Sequence, residues 1–365
     1  MRARTSGGDD LRKEFESDRL TVLHSLRAVR PTTNPYLVML REGLRAHSDI
    51  DFLDFSYRTA ILGRFDVFHV HWPEILLEGR GWYRRIARQL LLVLFLLRLR
   101  WSGVPVVRTV HNVERPEGLR RHENLLLDWI DRLTVLRIRL NAHTSVGNGQ
   151  VWAEIPHGHY RDWFSSLPRR RPVEGRLGYF GLIRRYKGVE SLLSAFRGTQ
   201  DTAAGPALSL RVGGKPSSAE LADLMLALAR QDDRVSLDLR YLSDADLVEL
   251  VAESEVVVLP YRLMHNSGGV LTALSLDRPV LVPDNAVNRS LGDEVGPGWV
   301  HTFDDELTAE DLLRALRVAR TTHGRPDLSR REWSSTSDQH VAAYRRAAKQ
   351  GRHRRRRRGG PAEVE

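Results

Sequence analysis

Short apolar runs alternate with amphipathic segments from residue 20 onward, and the alternation predicts strands followed by helices. Runs without polar interruption, such as 256–259 (VVVL) and 280–282 (VLV), fit parallel strands covered on both faces. In the first half the pattern predicts strands at 20–26, 52–55, 66–73, 104–112, 142–146 and 151–158, and helices at 35–46, 86–101 and 125–140. Asn34-Pro35 opens the first of these helices with a capping amide and a proline at the first helical position. In the second half strands are expected at 177–180, 208–215, 235–239, 256–259 and 280–282. Helices are expected at 188–196, 219–230, 243–253, 270–276, 310–320 and 333–348, and Ser243 followed by Asp246 is a capping-box start. Residues 167–172 (LPRRRP) break the periodicity and set the expected domain boundary. The fold class is therefore α/β, with two Rossmann-like doubly wound domains over 19–166 and 173–332. Residues 1–18 read as a disordered lead-in and 351–365 as a disordered polybasic tail.

Composition changes this picture little. The 365 residues exceed what one core usually supports, which agrees with two domains. No cysteine is present, which excludes disulfides, thiolate metal sites and a cysteine nucleophile, and fits a cytoplasmic location. The first residues have no apolar core, so neither a signal nor an anchor is expected there. Six arginines at 352 and 354–358 account for most of the net charge of +10; without them it is +4, so basicity is largely a property of the tail. The longest apolar run, 90–97, is too short to cross a bilayer, which takes about 20 residues. It reads first as a core helix buried on most sides. The second reading is an apolar, arginine-flanked surface resting on an anionic membrane.

Candidate chemistry gathers at strand ends. Ser267-Gly268-Gly269 leads into a helix whose unpaired N–H groups and dipole suit a phosphate. Arg184 and Lys187, three apart in a glycine-flanked loop, and Gly213-Gly214-Lys215 suit the same ligand; the plain alternative is solvated loop charge. His111, Glu114 and Glu117 follow one strand end, and His69, His71 and His157 are similarly placed, though a single such histidine is more often structural. The aspartate pairs lie in polar segments away from strand ends, so no catalytic metal is expected.

These motifs, in this order, carry a resemblance. Residues 180–188 (FGLIRRYKG), 242–247 (LSDADL) with 258–261 (VLPY), and Thr109-Val110-His111-Asn112 resemble elements of the GT-B glycosyltransferases. The likeness is to glycosyltransferase family four, and within it to bacterial exopolysaccharide and glycolipid sugar transferases. The resemblance implies two domains facing a central cleft, with residues 333–350 crossing back as a helix to the first domain. It implies a hexosyltransferase that moves a sugar from a nucleoside-diphosphate sugar to a saccharide or lipid-linked acceptor, needing no metal and no cofactor beyond that co-substrate. The donor would be held by Gly181, Arg184, Lys187, Gly213, Tyr241, Ser267, Gly268, Gly269 and Thr272. His111 and Glu117 would serve catalysis, with Asn34, His71, Asn112 and His157 on the acceptor side. A cytoplasmic enzyme, peripheral at the inner membrane face with an anionic membrane surface as partner, is expected. One departure matters: the Glu-x7-Glu pattern of many retaining relatives falls here on Met264 and Thr272, neither of them acidic, so the stereochemical class stays open. Two other classes remain at this point. One is a basic protein binding nucleic acid through its tail, though no nucleic-acid module is present; the other is a nucleotide-sugar binder without activity.

Overall fold

The structure, a computed structural model, describes residues 19–30, 33–79, 81–112, 115, 116, 118–147, 149–200, 207–261, 266 and 268–359, without side chains from 353 onward. The expected lead-in, 1–18, and the candidates Glu114, Glu117, Met264 and Ser267 lie outside the described residues.

The chain divides into two compact units, residues 1–158 with 333–365, and residues 159–332. The first contains, in order, β1 (Leu20–His24), α1 (Pro35–Ala46), β2 (Ile50–Leu53), α2 (Tyr57–Leu62), β3 (Val67–Val70), a 3-10 turn (Pro73–Leu76) and α3 (Trp82–Ser102). β4 (Val106–Val110), α4 (Arg121–Leu133), β5 (Thr134–Arg139) and β6 (Trp152–Glu154) follow. Its sheet is wholly parallel in the order β2-β1-β3-β4-β5-β6. Val22, Leu23, Val67, Phe68, Val106 and Val107 are buried, as uninterrupted apolar strands with helices on both faces require. The topological switch lies between β1 and β3, where such sheets place their ligands.

The second unit contains β7 (Arg176–Phe180), a 3-10 turn (Arg185–Lys187), α5 (Val189–Arg197), β8 (Ser209–Gly213), α6 (Ala219–Ala229), β9 (Val235–Asp238), α7 (Asp244–Glu253) and β10 (Val256–Val258). α8 (Gly268–Ser275), β11 (Val280–Pro283), α9 (Ala286–Val295), β12 (Val300–Phe303) and α10 (Ala309–Ala319) complete it. Its parallel order, β12-β11-β10-β7-β8-β9, puts the switch between β7 and β10.

The α/β class holds, and several local expectations do not. Residues 125–140 are not one helix. α4 stops at Leu133, and β5 begins at once because Thr134, Leu136 and Ile138 pair with β4, and Val135, Leu136 and Ile138 fill the core. The strand expected at 142–146 is a turn, in which the Asn141 side chain accepts from the His143 N–H at 2.8 Å. α2, α9 and β12 were not foreseen.

The unit boundary falls at Gly158, ahead of the expected 167–172. The intervening segment is tied to the second unit. Tyr160 N–H donates to Ser275 Oγ at 2.8 Å, Arg161 to the Pro326 carbonyl at 2.8 Å, and Trp163 Nε1–H to Asp244 at 3.0 Å.

The last helix, α11 (Trp333–Gly359), packs on α1 in the first unit. The tail expected to be disordered from 351 is helical through Gly359. Arginine is a good helix former, and no glycine pair or proline interrupts it until Gly359-Gly360-Pro361.

α3 departs from the first of its two readings, a core helix buried on most sides, since only Leu92, Phe95, Leu96 and Leu99 are buried. Trp82, Tyr83, Ile86, Leu90, Leu94 and Trp101 face solvent, because α3 packs with one face only, against α2, α4 and the Pro73–Leu76 turn. No helix among the described residues is long and apolar enough to cross a membrane.

Candidate active site

In the first unit, parallel strands deliver histidines to the carboxyl ends of the central strands. His24 ends β1, His69 sits on β3 with His71 just beyond it, and His111 follows β4; all are buried. His71 Nδ1 and His111 Nε2 share a hydrogen bond at 2.9 Å, and His111 stacks on Trp72 with ring centroids 3.9 Å apart and 18° between planes. His69 bonds Tyr344 of α11 through Nδ1 (2.7 Å) and Thr109 through Nε2 (2.8 Å). Burial pushes His111 and His71 well below the ordinary histidine value, with neighbouring His157 and Arg108 adding to the shift at His111 and His69 and His24 at His71. Both rings are therefore neutral near pH 7, in the form that accepts a proton.

One ring nitrogen from each of His24, His69 and His71 falls within 4.8 Å of the others, a spacing that suits a metal ion. Both His69 nitrogens are already bonded, so an ion there would displace Thr109 or Tyr344.

The other acceptor-side candidates separate. Asn34 caps α1, its side chain accepting from Tyr36 N–H at 3.0 Å, which accounts for it without a ligand. His157 is buried against the Tyr36 ring at 4.4 Å, with Nδ1 bonded to the Gly158 carbonyl at 2.8 Å. Asn112 is exposed at the mouth of a cavity of about 130 Å³, which His71, Trp72, Glu74, Arg108 and His111 also line. Glu74 and Trp72 thus join the site although neither was among the candidates; Trp72 stood at the end of the strand expected at 66–73, and Glu74 directly follows it.

In the second unit, the β7 end and the turn after it assemble a cationic site. Lys187 Nζ stands 3.4 Å from the Tyr261 hydroxyl and 4.7 Å from the centroid of its ring. Burial, with a smaller contribution from Arg184, lowers the Lys187 ammonium to about 8. Arg184 caps the 3-10 turn and is exposed. Gly188 ends that turn at φ 65°, and a Cβ there would come within 2.3 Å of the Pro260 carbonyl oxygen. The loop carrying Lys187 is thereby pressed onto the end of the neighbouring strand.

Gly181 N–H donates to the Gly213 carbonyl at 3.0 Å, and a Cβ on Gly181 would stand 3.5 Å from Lys187 Nζ. Gly213 packs against Leu242 and Leu250, which explains its lack of a side chain by close packing. Gly268 and Gly269 open α8, and Tyr241 is exposed. Thr272 turns its hydroxyl back onto the Gly268 carbonyl at 2.8 Å, so it does not offer that group to a ligand. The structure brings Gly181, Arg184, Lys187 and Gly213 together and adds Tyr261, which the sequence had quoted only as part of a motif.

GDP-mannose:glycolipid 4-beta-D-mannosyltransferase of Xanthomonas campestris pv. campestris is 44% identical over 328 residues, 89% of this chain and 92% of the relative. The chain belongs to that family of glycosyltransferases. This makes it an enzyme, a hexosyltransferase, and sets aside the inactive binder and the nucleic-acid-binding protein. Among solved structures, Anabaena HepE in complex with UDP-glucose matches with a TM-score of 0.55 at 13% identity, over 92% of this chain and 98% of HepE. Sucrose-phosphate synthase of Thermosynechococcus elongatus matches with a TM-score of 0.54 at 15% identity, over 93% of this chain and 99% of that protein. Both likenesses concern the fold, and they agree with the GT-B architecture of this glycosyltransferase. No family model matches the chain.

Proposed function

We propose that this glycosyltransferase transfers mannose from GDP-mannose to a glycolipid, acting at the inner face of a membrane without a catalytic metal. The observation that carries the reading is the 44% identity to a GDP-mannose:glycolipid mannosyltransferase over nearly the full length of both chains. In the reaction, an acceptor hydroxyl oxygen bonds to the anomeric carbon of mannose. The bond from that carbon to the diphosphate oxygen breaks, and GDP leaves with the electron pair.

Negative charge then grows on the diphosphate, and Lys187, Arg184 and the α8 N-terminus are the groups offered to it. Lys187 is part-buried beside an aromatic ring, where its charge acts through a lower dielectric than on an open surface. The acceptor proton would pass to His111, which burial holds neutral and which His71 and Trp72 orient.

The test is a transfer assay with purified full-length protein, a glycolipid extract and either GDP-mannose or UDP-glucose, read by mass spectrometry. Addition of a hexose from GDP-mannose alone, undiminished by EDTA, supports the reading. Transfer from UDP-glucose in preference, or loss of transfer in EDTA, overturns the donor or the metal-free part respectively.

A further inference from the structure

α3 carries an outward stripe at four-residue spacing, Trp82, Ile86, Leu90 and Leu94, with Trp101 at its far end. Its 21 residues include five arginines and no acidic residue. At about 1.5 Å per residue such a helix is about 30 Å long. Aromatic residues at both ends, an aliphatic middle and cationic flanks are what a helix lying in the plane of an anionic bilayer presents.

The first turns of α3 also border a cavity, on the side of the helix that faces the core. Arg85 and Arg88, from the first turns of α3, line a space of about 530 Å³ together with Leu77, Leu119 and the carboxylates of Glu78 and Glu123. Arg85 is fixed there by Glu123, at 2.7 Å through Nε, and Gln89 donates to the same carboxylate at 2.8 Å. Glu74 and Pro116 line both this cavity and the smaller one that holds Trp72 and His111. The carboxylates of Glu74 and Glu78 and the Arg88 guanidinium, beside apolar walls, offer hydrogen bonds and a dry face, which suits a sugar ring better than a bare anion; Glu123 is taken up by Arg85, Gln89 and the Arg120 N–H. Burial raises the Glu74 carboxyl above the ordinary value, in keeping with a site sheltered from solvent.

We propose that the two cavities and the α3 stripe form one track for the glycolipid acceptor. Its terminal sugar would stand beside Trp72 and His111, the preceding sugars would fill the larger cavity between Glu74 and Arg88, and its lipid would run along Ile86, Leu90 and Leu94 in the bilayer. This rests on the glycolipid reading given above and adds where each part of that acceptor lies. The charge of α3 selects the occupant: Arg84 and Arg100 are exposed on a helix that has no acidic residue, and they complement the anionic headgroups around a membrane lipid.

The chain has no cysteine, so Leu90→Cys takes a single environment-sensitive fluorophore, and Leu226→Cys on α6 serves as the control. With vesicles of phosphatidylglycerol and phosphatidylethanolamine, the label at 90 should shift to the blue and the label at 226 should not. Ile86→Ser/Leu90→Ser/Leu94→Ser should lower vesicle co-sedimentation at least tenfold. These changes lie on the solvent face, and an unchanged far-UV spectrum and Tm verify folding. Vesicle indifference of the unsubstituted protein, or equal binding by the triple variant, overturns the lipid part even if transfer is never observed. For the sugar part, Arg88→Gln and Glu74→Gln should raise the acceptor KM about tenfold and leave the GDP-mannose KM unmoved. An unmoved acceptor KM takes the larger cavity out of the track. Absence of any mannosyl transfer by the unsubstituted protein counts instead against the reading on which the track rests.

Discussion

Lys187 and Tyr261 form a cation–π pair, with Nζ 4.7 Å from the ring centroid and 3.4 Å from the hydroxyl. The ring covers one side of the ammonium without neutralising it, so the charge remains available to an anion. Burial, with Arg184 adding repulsion, brings this lysine to about 8. A diphosphate binds the protonated form. GDP affinity should therefore stay constant below pH 8 and fall by up to tenfold per pH unit above it. Calorimetric titration from pH 6.5 to 9.5 measures this. Lys187→Met should weaken GDP binding by about 1.5–3 kcal/mol and abolish the fall; a parallel slope in the variant would assign the titration to another group.

The buried imidazoles make the first unit acid-sensitive. Burial and neighbouring His340 lower His24 to about 3; burial lowers His340 to about 4, and the same cause holds His69, His71 and His111 well below 6.5. Between the folded value and the unfolded one near 6.5, the unfolded chain takes the proton and the folded one does not. Stability is therefore full above pH 6.5 and falls as the pH drops, by about 1.4 kcal/mol per unit for each such group. Calorimetry should show a Tm that is flat from pH 7 to 8 and declines below 6.5, with His24→Phe reducing the decline. A Tm unchanged at pH 5 would contradict this account.

Glu253 holds the second unit together through charge. Its carboxylate receives Arg176 at 2.6 Å, Arg170 at 3.0 Å and Arg211 at 3.0 Å, and it is buried at the end of α7. Glu253→Ala would leave three guanidiniums facing one another, part-buried. The cost should be about 3 kcal/mol, at the lower end for a broken buried pair because Arg170 is largely solvated. Urea denaturation measures it, and a loss under 1 kcal/mol would show that the cluster relaxes into solvent.

Local signals carried much of the fold. The Asn34-Pro35 start and the Ser243/Asp246 capping box are contained in a few residues each, and α1 and α7 begin where they indicate. Signals that depend on partners were not legible. β5 was read as helix because Leu133 passes into Thr134 with no turn residue between them, and only pairing with β4 makes the segment a strand. The 90–97 run read as core because apolar content gives no indication that one face of α3 lacks a neighbour.

The site divides in the same way. Lys187 was legible from its glycine-flanked loop, whereas Tyr261 joins it across 74 residues once β7 and β10 lie side by side. His71 and His111 meet across 40 residues for the same reason. Glu74 shows its partial burial only in the fold.

The prediction that bears most directly on chemistry concerns His111. Its ring is held on two sides, by the 2.9 Å bond to His71 and the 3.9 Å stack on Trp72, and burial keeps it unprotonated. A neutral, oriented imidazole is what deprotonation of an acceptor hydroxyl requires, and such a group contributes about 100-fold or more. The donor groups belong to residues 159–332, so removing this ring should leave GDP binding intact. His111→Ala should thus lose transfer by at least about 100-fold with GDP affinity unchanged. His71→Ala removes the orienting bond but not the ring, and should lose less. The pair separates two roles: a greater loss in His71→Ala than in His111→Ala would make His71 the proton acceptor, and wild-type turnover by His111→Ala would move the search to Glu74.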